Sequence, residues 1–258
     1  MATFLTFALV APIASFGAIA VGERRPTWDR PARSAVLGLV GACLGMERED
    51  DAGQAALAEG YGVALLCHAP GRLLADYHTA QVPPARGNRR FATRAEELRA
   101  PDLATILSRR DYRTGAWHLA AMWARNPAPR WPLPDIAAAM EAPGFAPYLG
   151  RKSCPLGLPL APALDDALDP GMALARRHRD GREVRFRHWA DTAGVPVVAR
   201  DHWEGPADPA LALRVETKRD QPRSRRLWQF DLRQEVVERL PALDAPAADG
   251  NAADGGVA

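Results

Sequence analysis

Apolar positions follow two rhythms in the first half of this chain. Residues 1 to 22, MATFLTFALVAPIASFGAIAVG, carry no charge. Thr3 to Val10 reads as a strand, with a turn following through Pro12 and Gly17. The stretch also ends in a small-residue pattern, Ala18-Ile19-Ala20, like that before a signal-peptidase cut. Against export stand the lack of Lys or Arg near the start and the interruption at Pro12. From Ser34 to Met46 the rhythm changes to that of a helix. At 100° per residue Val36, Leu37, Val40, Cys43 and Leu44 fall on one side, and Ser34, Gly38, Gly41, Ala42 and Gly45 on the other. The large face predicts packing on a sheet. A glycine inside a helix costs up to ~1 kcal/mol relative to alanine, so three of them predict that another backbone comes close. That backbone could belong to a neighbouring strand, a subunit or a nucleic acid. The helix is too short to span a bilayer, which takes ~20 apolar residues.

Tyr61 to Cys67 reads as a second strand, with a turn at Gly71. About residues 80–110 then turn polar and arginine-rich, an excursion from the core: a solvated loop or an arm that grips something. Ala116 to Trp123 returns to strand-like apolarity. Leu133 to Met140 predicts a helix, with Pro132 and Pro134 where missing amide donors cost little. The order β-α-β-(arm)-β-α predicts an α+β chain with a ferredoxin-like split βαβ sheet over residues 1–150, the fold of many RNA-binding modules. Residues 151–240 predict a smaller, mostly β region. It opens on the proline-rich connector CPLGLPLAPALDD, and Pro170 and Gly171 interrupt the segment after that connector. Residues 183–190, EVRFRHWA, alternate like a half-buried strand. Leu211 to Thr217 and Leu227 to Leu232 predict a hairpin across the basic turn KRDQPRSRR. Residues 241–258, rich in Ala, Asp, Gly and Pro, predict a disordered tail.

Charge sharpens this picture. The chain has 258 residues and a formal net charge of +2, yet of its 33 basic residues all but Lys152 and Lys218 are arginine. Arginine presents a planar fork suited to phosphate and stacks on bases, although a GC-rich genome gives the same bias. Arg24, Arg25, Arg30 and Arg33 crowd the start of the greasy helix. A helix amino terminus offers free N–H groups and partial positive charge, so this end predicts an anion site, with Thr27 and Ser34 adding hydroxyls. A solvated loop is the alternative. Around Gly150, Tyr148 with Arg151, Lys152 and Ser153 forms a candidate stacking and phosphate-gripping loop. RRHRDGREVRFR, residues 176–187, carries six arginines and reads as a solvated face or a contact surface.

Catalytic and metal signatures are sparse. Cys43, Cys67 and Cys154 are widely spaced and form no CxxC pair, which suits a reducing compartment and predicts neither disulfides nor zinc. No histidine spacing suggests a metal ligand set, so no metal or cofactor is expected. There is no GxSxG or GxGxxG. Metal-free RNA cleavage needs a base, an acid and a cation. Tyr77, His78, Tyr112, His118 and Lys152 could supply them, but nothing in the sequence shows that they converge.

RPTWDRPARSAVLGLVGACLGMERED resembles the signature of the Cas-five family of RAMP proteins, as found in type I-E CRISPR Cascade complexes. LVAPIASFG resembles that family's first strand and Gly-containing loop. DYHT and PYLGRKSCPLGLPL match two further blocks, in order, from about residue 4 to residue 162. The resemblance implies an RRM-related domain whose inserted thumb is the excursion from Gln81 to Arg110, and a cytoplasmic, non-catalytic subunit. Such a subunit caps the crRNA by holding its repeat-derived 5′ handle. It sits beside the last backbone subunit and the large PAM-recognising subunit, within a particle that targets DNA. The resemblance carries handle-phosphate contact onto Arg24, Arg25, Thr27, Arg33 and Ser34. It carries phosphate or base contact onto Tyr77, His78, Arg109, Tyr148, Arg151, Lys152 and Ser153. Relatives in type I-C systems cut repeat RNA themselves, which leaves a metal-independent endoribonuclease as the alternative. The thumb's PPARGNRR departs from the family pattern.

Overall fold

The computed structural model describes residues 1–243 apart from 19, 21, 85–89, 192–193, 225–226 and 228. The expected disordered tail therefore lies almost wholly outside the described residues, as does the core of PPARGNRR. No described helix is long and apolar enough to cross a membrane.

The apolar start forms β1 (Ala2–Ala14), an inner strand of a nine-stranded sheet. After a two-residue strand β2 (Arg24–Arg25) come helices α1 (Arg33–Cys43) and α2 (Asp51–Gly60). Strands β3 (Tyr61–Ala69) and β4 (Arg72–Val82) come next, then a single helical turn α3 (Arg94–Glu97). The 21-residue strand β5 (Ala104–Ala124) leads to α4 (Leu133–Glu141). The second half adds β6 (Ala163–Ala167), α5 (Pro170–Asp180), β7 (Val197–Arg200) and the hairpin β8 (Ala212–Ser224) and β9 (Gln229–Arg239). The main path through the sheet is β6-β1-β5-β3-β7-β9-β8, with β2 and β4 pairing only on β5. Strands from both halves of the sequence thus join one sheet, and its pairings are antiparallel except for β2 on β5.

Strand alternation divides the core. Leu5, Phe7 and Leu9 of β1 with Val63 and Leu65 of β3 face one way, under α1 and α4. Phe4, Ala8 and Val10 with Leu66, Trp117 and Leu119 face the other way, under Ala173 and Leu174 of α5. The greasy helix packs its large face as expected, with Leu39 also buried. The backbone that its glycine face accommodates includes the chain's own. Gly144 donates to the carbonyl of Cys43, and a Cβ on Gly144 would lie 2.7 Å from the Cα of Gly45.

Three elements differ from expectation. Residues 182–189 form a 3₁₀ helix (Arg182–Trp189), not a strand. Glu183 is buried and bidentate on Arg177 of α5 at 2.7 and 3.0 Å, which folds the segment back over the helix end. Pro170 and Gly171 do not interrupt structure. Pro170 opens α5, where the absent N–H costs nothing, and Asp169 caps it by accepting from Met172 N–H. Lys218 to Ser224, expected in a turn, extend β8 instead.

His118 sits on β5 at the centre of the sheet, fully buried against the edge of Phe16, and neither ring nitrogen has a partner. Burial, helped by the nearby positive charge of Arg30, pushes its pKa down to about 3. Its placement removes it from any solvent chemistry. In the unfolded chain the ring takes a proton near pH 6.5, so its contribution is complete above that value and declines as pH falls toward 3. The expected loss at pH 5 is about 2 kcal/mol. Urea midpoints from pH 8 to 5 test this: His118→Leu should flatten the acid decline, and an unchanged slope would remove His118 as its cause.

Candidate nucleic-acid interface

Beyond Arg113 the sheet narrows to a ribbon. β4 pairs with the first half of β5 from Arg72↔Thr114 to Val82↔Ala104, and β4 has no fully buried residue. The excursion expected from about residue 80 therefore begins at Gly71, with β4 and the first half of β5 as its two strands. β2 joins β5 on its other side, Arg24 opposite Arg109 and Arg25 opposite Arg110. Tyr77 lies opposite Arg109 and Asp76 opposite Arg110. Directly paired residues share a face. Tyr77, Arg109 and Arg24 thus make one row across three strands, and Asp76, Arg110 and Arg25 the next row on the opposite face.

The electrostatics of the first row turn on one carboxylate. Asp111 is buried at 1 % exposure. Its Oδ2 accepts from Arg24 at 3.1 and 3.3 Å, and its Oδ1 lies 3.5 Å from Arg109 Nε but accepts no hydrogen bond. One carboxylate thus holds two guanidinium groups whose side chains remain 59 % and 52 % exposed. Net positive charge and unused donors point outward, as a phosphate requires. Tyr77, 63 % exposed beside Arg109, offers a ring for a base. On the other face His78 contacts the Asp76 carboxylate. Arg25 donates to the carbonyl of Gly22, and Arg110 is exposed with no hydrogen bond or ion pair among the described residues.

The loop from Tyr148 to Pro155 lies alongside. Arg151 donates to the carbonyls of Asp111 and Arg25 at 3.3 and 3.2 Å and stacks over the ring of Tyr112 at 4.5 Å. Tyr112 is consequently buried beneath it. Tyr148, Lys152 and Ser153 are exposed, and the Ser153 hydroxyl lies 4.0 Å from the sulfur of Cys154. Gly150 makes this loop possible: its φ is +90°, and a Cβ there would meet the Ser15 carbonyl at 1.6 Å. Gly150→Ala is expected to cost about 1–3 kcal/mol, read as a lowered thermal midpoint. A variant melting with the wild type would show that the loop is free to move.

Not every expected residue joins this surface. Thr27 holds the β1–β2 loop, its hydroxyl accepting from Phe16 N–H at 2.8 Å and donating to the Trp28 carbonyl. Arg33 turns inward, at 1 % exposure. It donates to Asp201 at 2.6 Å, Gln221 at 2.7 Å and the carbonyls of Ala58 and Tyr61, while its backbone N–H reaches Asp220 at 2.7 Å. Burial lowers its pKa and Asp201 opposes the shift. The amino terminus of α1, expected to bind phosphate, is thus engaged by Asp220 of this chain, and Ser34 sits half-buried in the same turn. Arg30 is likewise buried, held by Glu235 at 2.6 Å and Glu216 at 2.8 Å. Conversely, the sequence pattern did not single out Arg110 or the organising Asp111.

A family model described as CRISPR-associated protein (Cas_Cas5) matches residues 4–233. The chain belongs to the Cas5 family. The CRISPR system Cascade subunit CasD of Escherichia coli (strain K12) is 32% identical over 202 residues, covering 78% of this chain and 88% of that protein. A solved chain described as a CRISPR RNA-guided surveillance complex superimposes with a TM-score of 0.60 at 25% identity, covering 93% of this Cas5-family chain and 91% of its own. A second, described as a crystal structure of a Cas protein, shares the fold with a TM-score of 0.56 at 22% identity, over 92% and 95% of the two chains.

Proposed function

We propose that this Cas5-family chain is the crRNA-binding subunit of a type I-E Cascade complex. In this reading it caps the crRNA by gripping the 5′ repeat-derived handle and joins the backbone and large PAM-recognising subunits for DNA targeting. Kinship with a Cascade subunit supports the setting. The observation that carries RNA binding is the three-strand row of Arg24, Arg109 and Tyr77, with Arg25 and Arg110 on the reverse face and the loop of Tyr148, Arg151, Lys152 and Ser153 beside it. The long β4–β5 ribbon is the thumb of a ferredoxin-like RAMP domain at residues 1–150, and residues 151–240 complete its sheet. Arg33, Ser34 and Thr27 serve here as supports for this surface and not as phosphate ligands.

Tagged protein, expressed with its neighbouring genes and purified, should arrive in a multi-subunit particle whose RNAs share one repeat-derived 5′ end. Protein that arrives alone and makes that end from repeat RNA in chelator would be the processing nuclease instead. One observation favours keeping that second reading in the test: the partly exposed His78 ring, held by Asp76. As a binding subunit, His78→Ala and Lys152→Ala should leave crRNA 5′ ends at the wild-type nucleotide when mapped by sequencing. Shifted ends or accumulated precursor would favour the nuclease.

A further inference from the structure

A groove of about 530 Å³ opens between the end of α4, the connector 156–162 and the 3₁₀ helix 182–189. Its position is fixed by the sheet: Gly157 donates to the carbonyl of Val10 and Leu160 accepts from Ala8 N–H, both at 2.8 Å, so the connector runs along β1. The lining is aliphatic, from Met140, Pro147, Leu156 and Leu158, with Phe186 at one side. Arg182 and Arg185 border the groove and also line the adjoining depression with Arg179. Arg179 is paired to Asp180 at 2.9 Å. Arg182 and Arg185 have no carboxylate partner among the described residues, Arg185 lying over the Phe186 ring at 4.8 Å. Glu183 reaches the lining too, but its charge is spent on Arg177.

We infer that this groove docks an extended, acidic segment of a partner protein that carries an aliphatic anchor. Arg182 and Arg185, exposed at one border, can pair with carboxylates, and the aliphatic lining beside them can take a side chain such as Leu or Met. An RNA strand fits less well. Its bases need open aromatic faces, and the one aromatic in the lining is already covered by Arg185 and packed on Trp189 at 4.6 Å. This surface rests on the reading of the chain as a subunit of a larger particle, and it is separate from the arginine row that would hold RNA.

The test uses the particle purified with its neighbouring gene products. Phe186→p-benzoylphenylalanine places a photoreactive ring in the groove, and the cross-linked partner is identified by mass spectrometry. The expected product is a peptide of another subunit with Asp or Glu flanking an aliphatic residue. Arg182→Glu combined with Arg185→Glu should reduce that subunit in the particle about tenfold at moderate salt while bound RNA is retained. A cross-link to RNA, to this chain itself or to nothing, in a particle that has assembled, overturns the inference alone. A chain that purifies without partners or RNA overturns the subunit reading and this one together.

Discussion

Arg33→Ala is expected to cost about 3–5 kcal/mol of folding stability, because it removes one partner from a buried ionic network. The Arg33 side chain meets Asp201, Gln221 and two main-chain carbonyls, and its removal takes a charged donor from each of them. Asp201 keeps Arg125 at 3.0 Å, Arg233 at 3.1 Å and the Val63 N–H at 3.0 Å. The carbonyls of Ala58 and Tyr61 lose their link to Arg33. Arg33→Lys should recover only part of the loss, since an ammonium cannot reproduce a planar fork of donors. Urea unfolding of the purified chain measures both. If Arg33→Ala unfolded at the wild-type midpoint but bound RNA more weakly, Arg33 would return to the interface and the inward assignment would fall.

The second large effect concerns RNA. Arg25→Ala, Arg110→Ala and Lys152→Ala together should weaken handle binding on the order of a hundredfold, at about 1 kcal/mol for each lost contact. The slope of log affinity against log salt should fall by roughly 2, at about 0.7 per phosphate contact on a single strand. These three are the informative choice because no buried acid relies on them. Arg24 and Arg109 share the buried Asp111, so removing that pair would mix lost affinity with lost stability. An unchanged salt slope in the triple variant, with an unchanged thermal midpoint, would show that the phosphates run elsewhere.

The apolar rhythm of the sequence revealed the elements whose neighbours are large and continuous. β1, α1, β3, the apolar half of β5 and α4 were legible because each buries a face that reads at its own period. The rest depended on partners far along the chain. EVRFRHWA alternates like a strand, yet the Arg177–Glu183 pair bends it into a 3₁₀ helix. The arginines before α1 look alike in sequence, but Arg24 and Arg25 face solvent whereas Arg30 and Arg33 face acids just after β7 and on β8 and β9. No local pattern distinguishes a guanidinium left largely exposed from one buried among carboxylates. The Tyr148 loop was legible as a unit because Gly150 and its neighbours are contiguous. The pairing of Tyr77 with Arg109 was not, since it depends on the register of two strands.

The inward Arg33 also orders events in time. Its partners Asp201, Asp220 and Gln221 lie 168, 187 and 188 residues further along the chain. A nascent chain leaving the ribosome can make β1, α1 and β3, but closing them would strand a guanidinium in apolar surroundings until β7 and β8 emerge. Completion of the core therefore waits for most of the polypeptide, and fragments ending before residue 200 should stay open and prone to clump. An unfinished subunit of this kind would have no settled surface to offer an RNA end.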